Sequence, residues 1–366
     1  MQVSPPISLY IHLPWCEKQC PYCDFSITTQ PVADDDVKLA HAIAQDLKQS
    51  AQMFADREFI SVYFGGGTPS LASIEAIEII LSAVHECSLT DECEISMELN
   101  PNDLTAEKLE ALKKLGINRF SLGVQSYHNE ELEALGRNHN KGNAVIAAKM
   151  LEGTNSTIDL MYGIEKQTPK TLESSLKLFL KSKANHLSLY QLTIEPNTIY
   201  YKKELHLPSE SAIEEMEKIA HEVLTKNGFH QYEVSSWSKK NYQSKHNVNY
   251  WRFGDFLGVG PGSHSKITLQ NTITRFRKIK PLHGYIKEQK SADLTNIVGD
   301  DLDLDLAMNL LRIKDGISQS NLHMDLPQSF QEKYAKGVTE GLLRTDKIGA
   351  TKRGYQFLNE TIKLFF

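Results

Sequence analysis

Residues 7–25 read ISLYIHLPWCEKQCPYCDF, and they join two signals that rarely stand side by side. ISLYIHL is a short β-branched and aromatic run with the character of a buried strand. Pro14 and Trp15 end it, so Cys16, Cys20 and Cys23 fall in the loop that follows. Working outward, similar runs recur at 59–64, 94–99, 119–124, 157–162 and 186–192. Stretches with helical spacing lie between and after them, at about 34–56, 73–88, 105–115, 129–151, 169–183 and 209–227. Strands alternating with helices require parallel pairing through right-handed crossovers, which predicts an α/β fold, either a doubly wound sheet or a barrel.

Helix starts carry capping residues: Thr105 precedes AEKLEALKKLG, closed by Gly116, and Ser209 precedes ESAIEEMEKIAHEVL. Beyond about residue 235 the alternation fails. A polar, aromatic-rich stretch, SSWSKKNYQSKHNVNYWRFGDF, leads into the glycine-rich LGVGPGSHS, and helical spacing returns from about 300. The expected organisation is a barrel unit over 1–235, an adjacent segment over 236–295, and a small, mostly α, winged-helix-like unit over 296–366.

The chain has 366 residues, 40% of them hydrophobic and 23% charged, with a formal net charge of −6. That composition fits a folded protein with a sizeable core and excludes disordered and fibrous classes. Lys and Arg are scattered rather than gathered into runs that could track a phosphate backbone, so nucleic acid is not an expected partner. No apolar stretch approaches membrane-spanning length and the N-terminus lacks a basic leader, which predicts a cytoplasmic protein.

In a β/α barrel the C-terminal strand ends converge on one face, so chemistry collects there. The cysteine loop follows the first run, Gly65-Gly66-Gly67-Thr68-Pro69 the second, and Glu98, Gln125, Asp159 and Glu195 stand at or just after the next four. Each polar residue alone could cap a turn or satisfy a buried backbone group. Their recurrence at corresponding strand ends points to one site.

Thiolates spaced C-x3-C-x2-C can hold three corners of a [4Fe–4S] cube, leaving one iron open to the amino and carboxylate groups of a methionine-type ligand. The rival reading, structural zinc, needs four closed ligands, and no second pair follows at suitable spacing. Cys87 and Cys93 read as packing or surface thiols. The glycine run lacks the Gly-Lys-Ser/Thr ending of a phosphate-binding loop.

The loop closely resembles the signature of the radical S-adenosylmethionine (SAM) proteins. YIHLPWCEKQCPYCDF resembles in particular the branch that contains the oxygen-independent coproporphyrinogen dehydrogenases and the HemW-type haem chaperones. The resemblance extends to about residue 265 and implies a partial (β/α)6 radical SAM barrel with a C-terminal extension. It implies a [4Fe–4S] cluster on Cys16, Cys20 and Cys23, and SAM bound by Tyr10, Gly66, Gly67, Thr68, Glu98, Gln125, Arg137 and Asp159. The dehydrogenases carry a further cysteine two positions after the third; here that position is Phe25, which favours the chaperone branch. Ile164-Glu165 also departs from the Leu-Pro or Ile-Pro that follows the family's DLxYG.

His246-Asn247-Val248-Asn249-Tyr250-Trp251 places an imidazole near an amide, a phenol and an indole. A neutral imidazole is a common haem ligand, although spacing alone favours a structural histidine. The string resembles the HNxxYW motif of the HemW-type chaperones. That resemblance implies haem binding involving His246, Asn247, Tyr250 and Trp251, delivery to haem-requiring respiratory proteins, transient membrane association and a homodimer. Two enzymes remain as alternatives: a coproporphyrinogen dehydrogenase, and a radical SAM enzyme on an unrelated substrate. LGVGPGSHS is not a dinucleotide fingerprint, because Ser263 replaces the third glycine; it is similar to the family's LGxGxGAHS.

Overall fold

A computed structural model describes residues 4–29, 34–54, 56–270, 272–322 and 324–366; residue 55, inside the first expected helix, lies outside the described residues. The described strands form one twelve-stranded sheet. They are β1 Ile7–Leu13, β2 Phe59–Gly66, β3 Leu89–Leu99, β4 Arg119–Gln125, β5 Ser156–Tyr162, β6 His186–Gln191, β7 His230–Glu233, β8 Ser236–Ser238, β9 Asp255–Val259, β10 His264–Leu269, β11 Thr272–Lys278 and β12 Ser291–Asn296. β1 to β6 are neighbours in chain order and all parallel, as the strand and helix alternation requires.

Both edges of this parallel set are extended. β9 lies parallel to β1, and β8 runs antiparallel to β6. The β9 pairing was not legible in sequence, because a parallel partner separated by some 240 residues leaves no local pattern. The β9 side is also held by buried charge: Asp255 accepts from Arg57 at 2.9 Å and Lys266 at 3.0 Å, and Asp46 accepts from Lys278 at 2.6 Å and Tyr285 at 2.7 Å. Such pairs add little net stability, but removing one partner leaves the other as an uncompensated buried charge.

Period-two alternation divides the parallel strands into two unlike faces. Leu9, Ile11, Val62, Phe64, Met97, Leu122, Ile158 and Leu187 point into the main apolar core. On the opposite face stand Ser8, Tyr10, Ser61, Tyr63, Glu94, Ser96, Glu98, Arg119, Ser121, Thr157, Asp159, His186 and Ser188. Side chains from β2 through β6 and from the loop after β1 line one cavity of about 360 Å³. The polar face is therefore the inside of a partial (β/α)6 barrel.

The expected helix over 129–151 is two helices, Asn129–Ala134 and Lys141–Met150. Gly136, at φ +67°, stops the first, and a Cβ there would lie 2.7 Å from Pro21 Cδ. The break thus presses the segment carrying Arg137 onto the cysteine loop. A second apolar cluster gathers Leu306, Leu310, Phe330 and Phe365 with Phe253 and Ile273, so the C-terminal helices share a core with the chain around β9 and β11.

Candidate functional site

The cysteine loop lies over the mouth of the barrel. Cys23 N donates to Cys20 O at 3.1 Å, which folds the second and third cysteines into a turn, and Cys16 N donates to Thr28 O at 3.0 Å. All three thiols are free, half-buried and line the same cavity. Burial raises the thiols of Cys16 and Cys23, the latter to about 11, and their neighbouring sulfurs add to the rise. Among the described residues no three His, Cys, Asp or Glu side chains converge closely enough to cage a single ion. A cube of four irons takes thiolates set further apart than one ion does, and three half-buried thiols facing one cavity suit it.

The glycine run meets that loop directly. Gly67 N donates to Leu13 O at 2.9 Å, and a Cβ on Gly67 would lie 2.4 Å from Trp15 O and 2.7 Å from Pro14 O. Gly66, at φ +120°, would place a Cβ 2.9 Å from Leu13 O. The resemblance implies that Gly66 and Gly67 bind SAM. They also line the cavity, but their first requirement is contact between the end of β2 and the start of the cysteine loop. Thr68 Oγ1 lies 3.7 Å from Cys16 Sγ.

Deeper in the barrel, Tyr63 donates to Glu98 Oε1 at 2.9 Å and Ser121 to Asp159 Oδ2 at 2.9 Å. Burial, reinforced by the Asp159 carboxylate, raises the Glu98 carboxyl to about 7 against the pull of the Tyr63 hydroxyl. Burial likewise raises Asp159 to about 6, opposed by the hydroxyls of Ser188 and Ser121. Two carboxyls held partly protonated in one chamber suit a cationic guest, which would stabilise their ionised forms. Gln125 holds φ +64° at a bulge where β4 meets β5, a strained conformation that turns its amide to the cavity.

Arg137 donates to Gly123 O at 2.9 Å and approaches Cys20 Sγ at 3.7 Å, while its buried Nε has no partner among the described residues. It ties β4 to the cysteine loop, a contact that sequence could not reveal. Of the residues expected to bind SAM, Gly66, Gly67, Thr68, Glu98, Gln125, Arg137 and Asp159 all line the cavity. Tyr10 stands behind that wall: its hydroxyl lies 3.1 Å from His12 Nδ1 and its ring is stacked 6.3 Å from Tyr63. Glu195 is not part of the lining. Reading the strand ends alone missed Tyr63, Ser121 and Ser188, although the alternation in FISVYF and RFSLGV marks Tyr63 and Ser121 as inward-facing.

The helix Lys245–Trp251 sits at the opposite end of the barrel, against the starts of β1, β2 and β3. Glu94 Oε1 accepts from His246 N at 3.3 Å and Ser244 Oγ at 3.5 Å, and Glu94 pairs with Arg119 at 3.6 Å. His246 is 6% exposed. Its Nδ1 lies 3.2 Å from Ser61 Oγ and its ring is stacked 4.9 Å from Tyr63. Ser61 gives its proton to Ser8 at 2.7 Å, so Nδ1–H is the donor to Ser61 and Nε2 keeps its lone pair. Burial lowers the imidazole to about 3, so it is neutral. Asn247 reaches the cavity lining, Tyr250 packs edge-on against the His246 ring at 6.1 Å, and Trp251 is half-buried on the outer side, where Arg312 lies 4.3 Å over its ring.

Residues 10–179 match the Radical SAM superfamily. The chain is 36% identical to the heme chaperone HemW of Haemophilus influenzae over 100% of this chain and 99% of that protein. To the Escherichia coli heme chaperone HemW it is 34% identical over 99% and 98%. Among solved structures, the Escherichia coli coproporphyrinogen III oxidase HemN, a radical SAM enzyme, superposes with a TM-score of 0.81 at 20% identity, covering 99% of this chain and 90% of that one. This last likeness concerns the fold.

Proposed function

Since the chain belongs to the radical SAM superfamily and, within it, to the HemW haem-chaperone family, we propose that it binds haem and delivers it to haem-requiring respiratory proteins. The observation that carries this reading is the similarity to HemW along the whole chain, the C-terminal helices included.

In this reading Cys16, Cys20 and Cys23 hold a [4Fe–4S] cluster, and Gly66, Gly67, Thr68, Glu98, Gln125, Arg137 and Asp159, with Tyr10 behind them, form the SAM pocket. The cluster supplies one iron with an open coordination position when bound. The chain's own residues do the rest. Glu98 and Asp159 offer carboxylates to a cationic ligand, Gln125 offers an amide, and Arg137 holds β4 and the cysteine loop in register. Phe25, 62% exposed at the lip of the cavity, stands where the dehydrogenases carry a further cysteine.

Haem is assigned to the segment His246–Trp251. A neutral imidazole with a free Nε2 is the form that ligates haem iron. Because His246 is enclosed by the barrel, ligation requires the helix Lys245–Trp251 to shift outward, on the side where Trp251 is half-buried. Among the described residues no helix is long and apolar enough to cross a membrane; a cytoplasmic carrier that meets membrane-bound recipients transiently, as a monomer or a dimer, accords with this.

The reading is tested by anaerobic haem titration of the cluster-reconstituted protein, followed at the Soret band. Saturable binding that weakens in Trp251→Ala and His246→Ala is expected. Saturable binding indifferent to both substitutions would move haem to another site, and no saturable binding would remove the chaperone function.

A further inference from the structure

The ring that the motif offers to haem is also the backing of the pocket wall. Tyr63 meets two rings, Tyr10 stacked at 6.3 Å and His246 stacked at 4.9 Å, and these two lie 6.3 Å from each other, so the three rings form one cluster. Its hydroxyl donates to Glu98 Oε1 at 2.9 Å. The side chain of His246 is fixed in turn by Ser61 at 3.2 Å, and the helix that carries it by two bonds from Asn249 Nδ2, to Ser8 Oγ at 2.9 Å and to Asp255 O at 2.7 Å. An unbroken chain of contacts thus runs from the helix Lys245–Trp251, through His246 and Tyr63, to a carboxylate of the cavity.

From this geometry we infer that His246 is a positioning residue for SAM: it holds the Tyr63 ring flat in the barrel wall so that the Tyr63 hydroxyl orients Glu98 toward the ligand. The inference rests on the reading of this cavity as the SAM pocket and concerns the haem-free protein. It assigns His246 a duty that does not depend on haem. It also has a consequence for haem: an imidazole drawn out of the barrel releases Tyr63, so haem ligation and SAM binding oppose each other through one side chain. Linkage makes that opposition reciprocal.

The contacts rank the substitutions. His246→Ala removes the ring behind Tyr63 and the bond to Ser61. His246→Phe keeps a flat ring against Tyr63 and loses only the bond. Tyr63→Phe keeps the stack and removes the donor to Glu98. Lys245→Ala changes an exposed residue of the same helix whose amine is bonded to Glu92, away from Tyr63 and Glu98.

The experiment measures SAM affinity by equilibrium dialysis in haem-free, [4Fe–4S]-reconstituted protein, together with the change that SAM causes in the EPR spectrum of the reduced cluster. His246→Ala and Tyr63→Phe are expected to weaken SAM binding about fivefold to tenfold, the effect of one misplaced hydrogen bond, and to diminish the EPR change at equal iron and sulfide content. His246→Phe is expected to recover most of the affinity, and Lys245→Ala to match the native chain. SAM affinity and EPR response unchanged in Tyr63→Phe and in His246→Ala would overturn the inference; if His246→Ala does not fold, Tyr63→Phe and His246→Phe decide it. A native protein that binds no SAM would instead refute the pocket reading. Loss of SAM affinity in His246→Ala with undiminished haem binding would leave the inference standing and remove His246 from haem ligation.

Discussion

Gly67 illustrates how one residue serves both fold and site. Its hydrogen atom occupies a position where a methyl group would lie 2.4 Å from the Trp15 carbonyl, and both neighbours are backbone. Gly67→Ala is therefore expected to cost about 2 kcal/mol or more, since the cysteine loop must lift away from β2. Iron retention after reconstitution, measured beside thermal stability, checks this; native iron content with native stability would show that the loop adapts freely. Glu98 makes a prediction of opposite kind. Its carboxyl is raised to about 7, so across the interval from its ordinary value near 4.5 the empty folded chain holds more protons than the unfolded one. Stability then falls as pH rises through that interval. Glu98→Gln removes this contribution, so the melting temperature of the variant relative to the native chain is expected to increase from about pH 5 to about pH 8. A difference independent of pH would show that Glu98 ionises without penalty.

At the scale of elements, the helix Lys245–Trp251 is a short plug whose N-terminus is capped by Ser244 and Glu94. Its His246 is lowered to about 3, so below its ordinary value near 6.5 the unfolded chain takes up a proton that the folded one refuses. Stability is lost as pH falls from about 6.5 toward 4, and His246→Phe is expected to flatten that acid limb in urea titrations at a series of pH values. An unchanged acid limb would mean that the plug leaves the barrel before the imidazole is protonated. The six parallel strands were readable because each is a compact β-branched or aromatic run, and the cysteine loop because its spacing is local. The plug was not. HNVNYW reads equally as surface or interior, and its partners Ser8, Ser61 and Glu94 lie some 150 to 240 residues earlier in the chain. The break at Gly136 was overlooked although its signal is local, the same glycine after a helical run that closes a helix at Gly116; what the sequence hides is the contact of Gly136 with Pro21 on the cysteine loop.

At the scale of the whole molecule, the same plug faces the barrel with His246 and the C-terminal helices with Trp251. Arg312 lies over the Trp251 ring at 4.3 Å and pairs with buried Glu233 at 3.3 Å, next to β8. Arg312→Ala is expected to destabilise the chain by about 2 kcal/mol or more, because Glu233 loses its buried partner, and to make the Trp251 fluorescence more accessible to quencher. Unchanged quenching would mean that the C-terminal helices do not cover the indole. The central claim is that this barrel carries haem to recipients. The most direct measurement mixes haem-loaded, cluster-reconstituted protein anaerobically with membranes containing a haem-free respiratory enzyme, and follows both the loss of the donor's Soret band and the return of oxidase activity. The account predicts transfer that is faster than from free haem, with no decarboxylation when coproporphyrinogen is supplied with SAM and reductant instead. Haem that stays on the donor, or coproporphyrinogen that is decarboxylated, would contradict it.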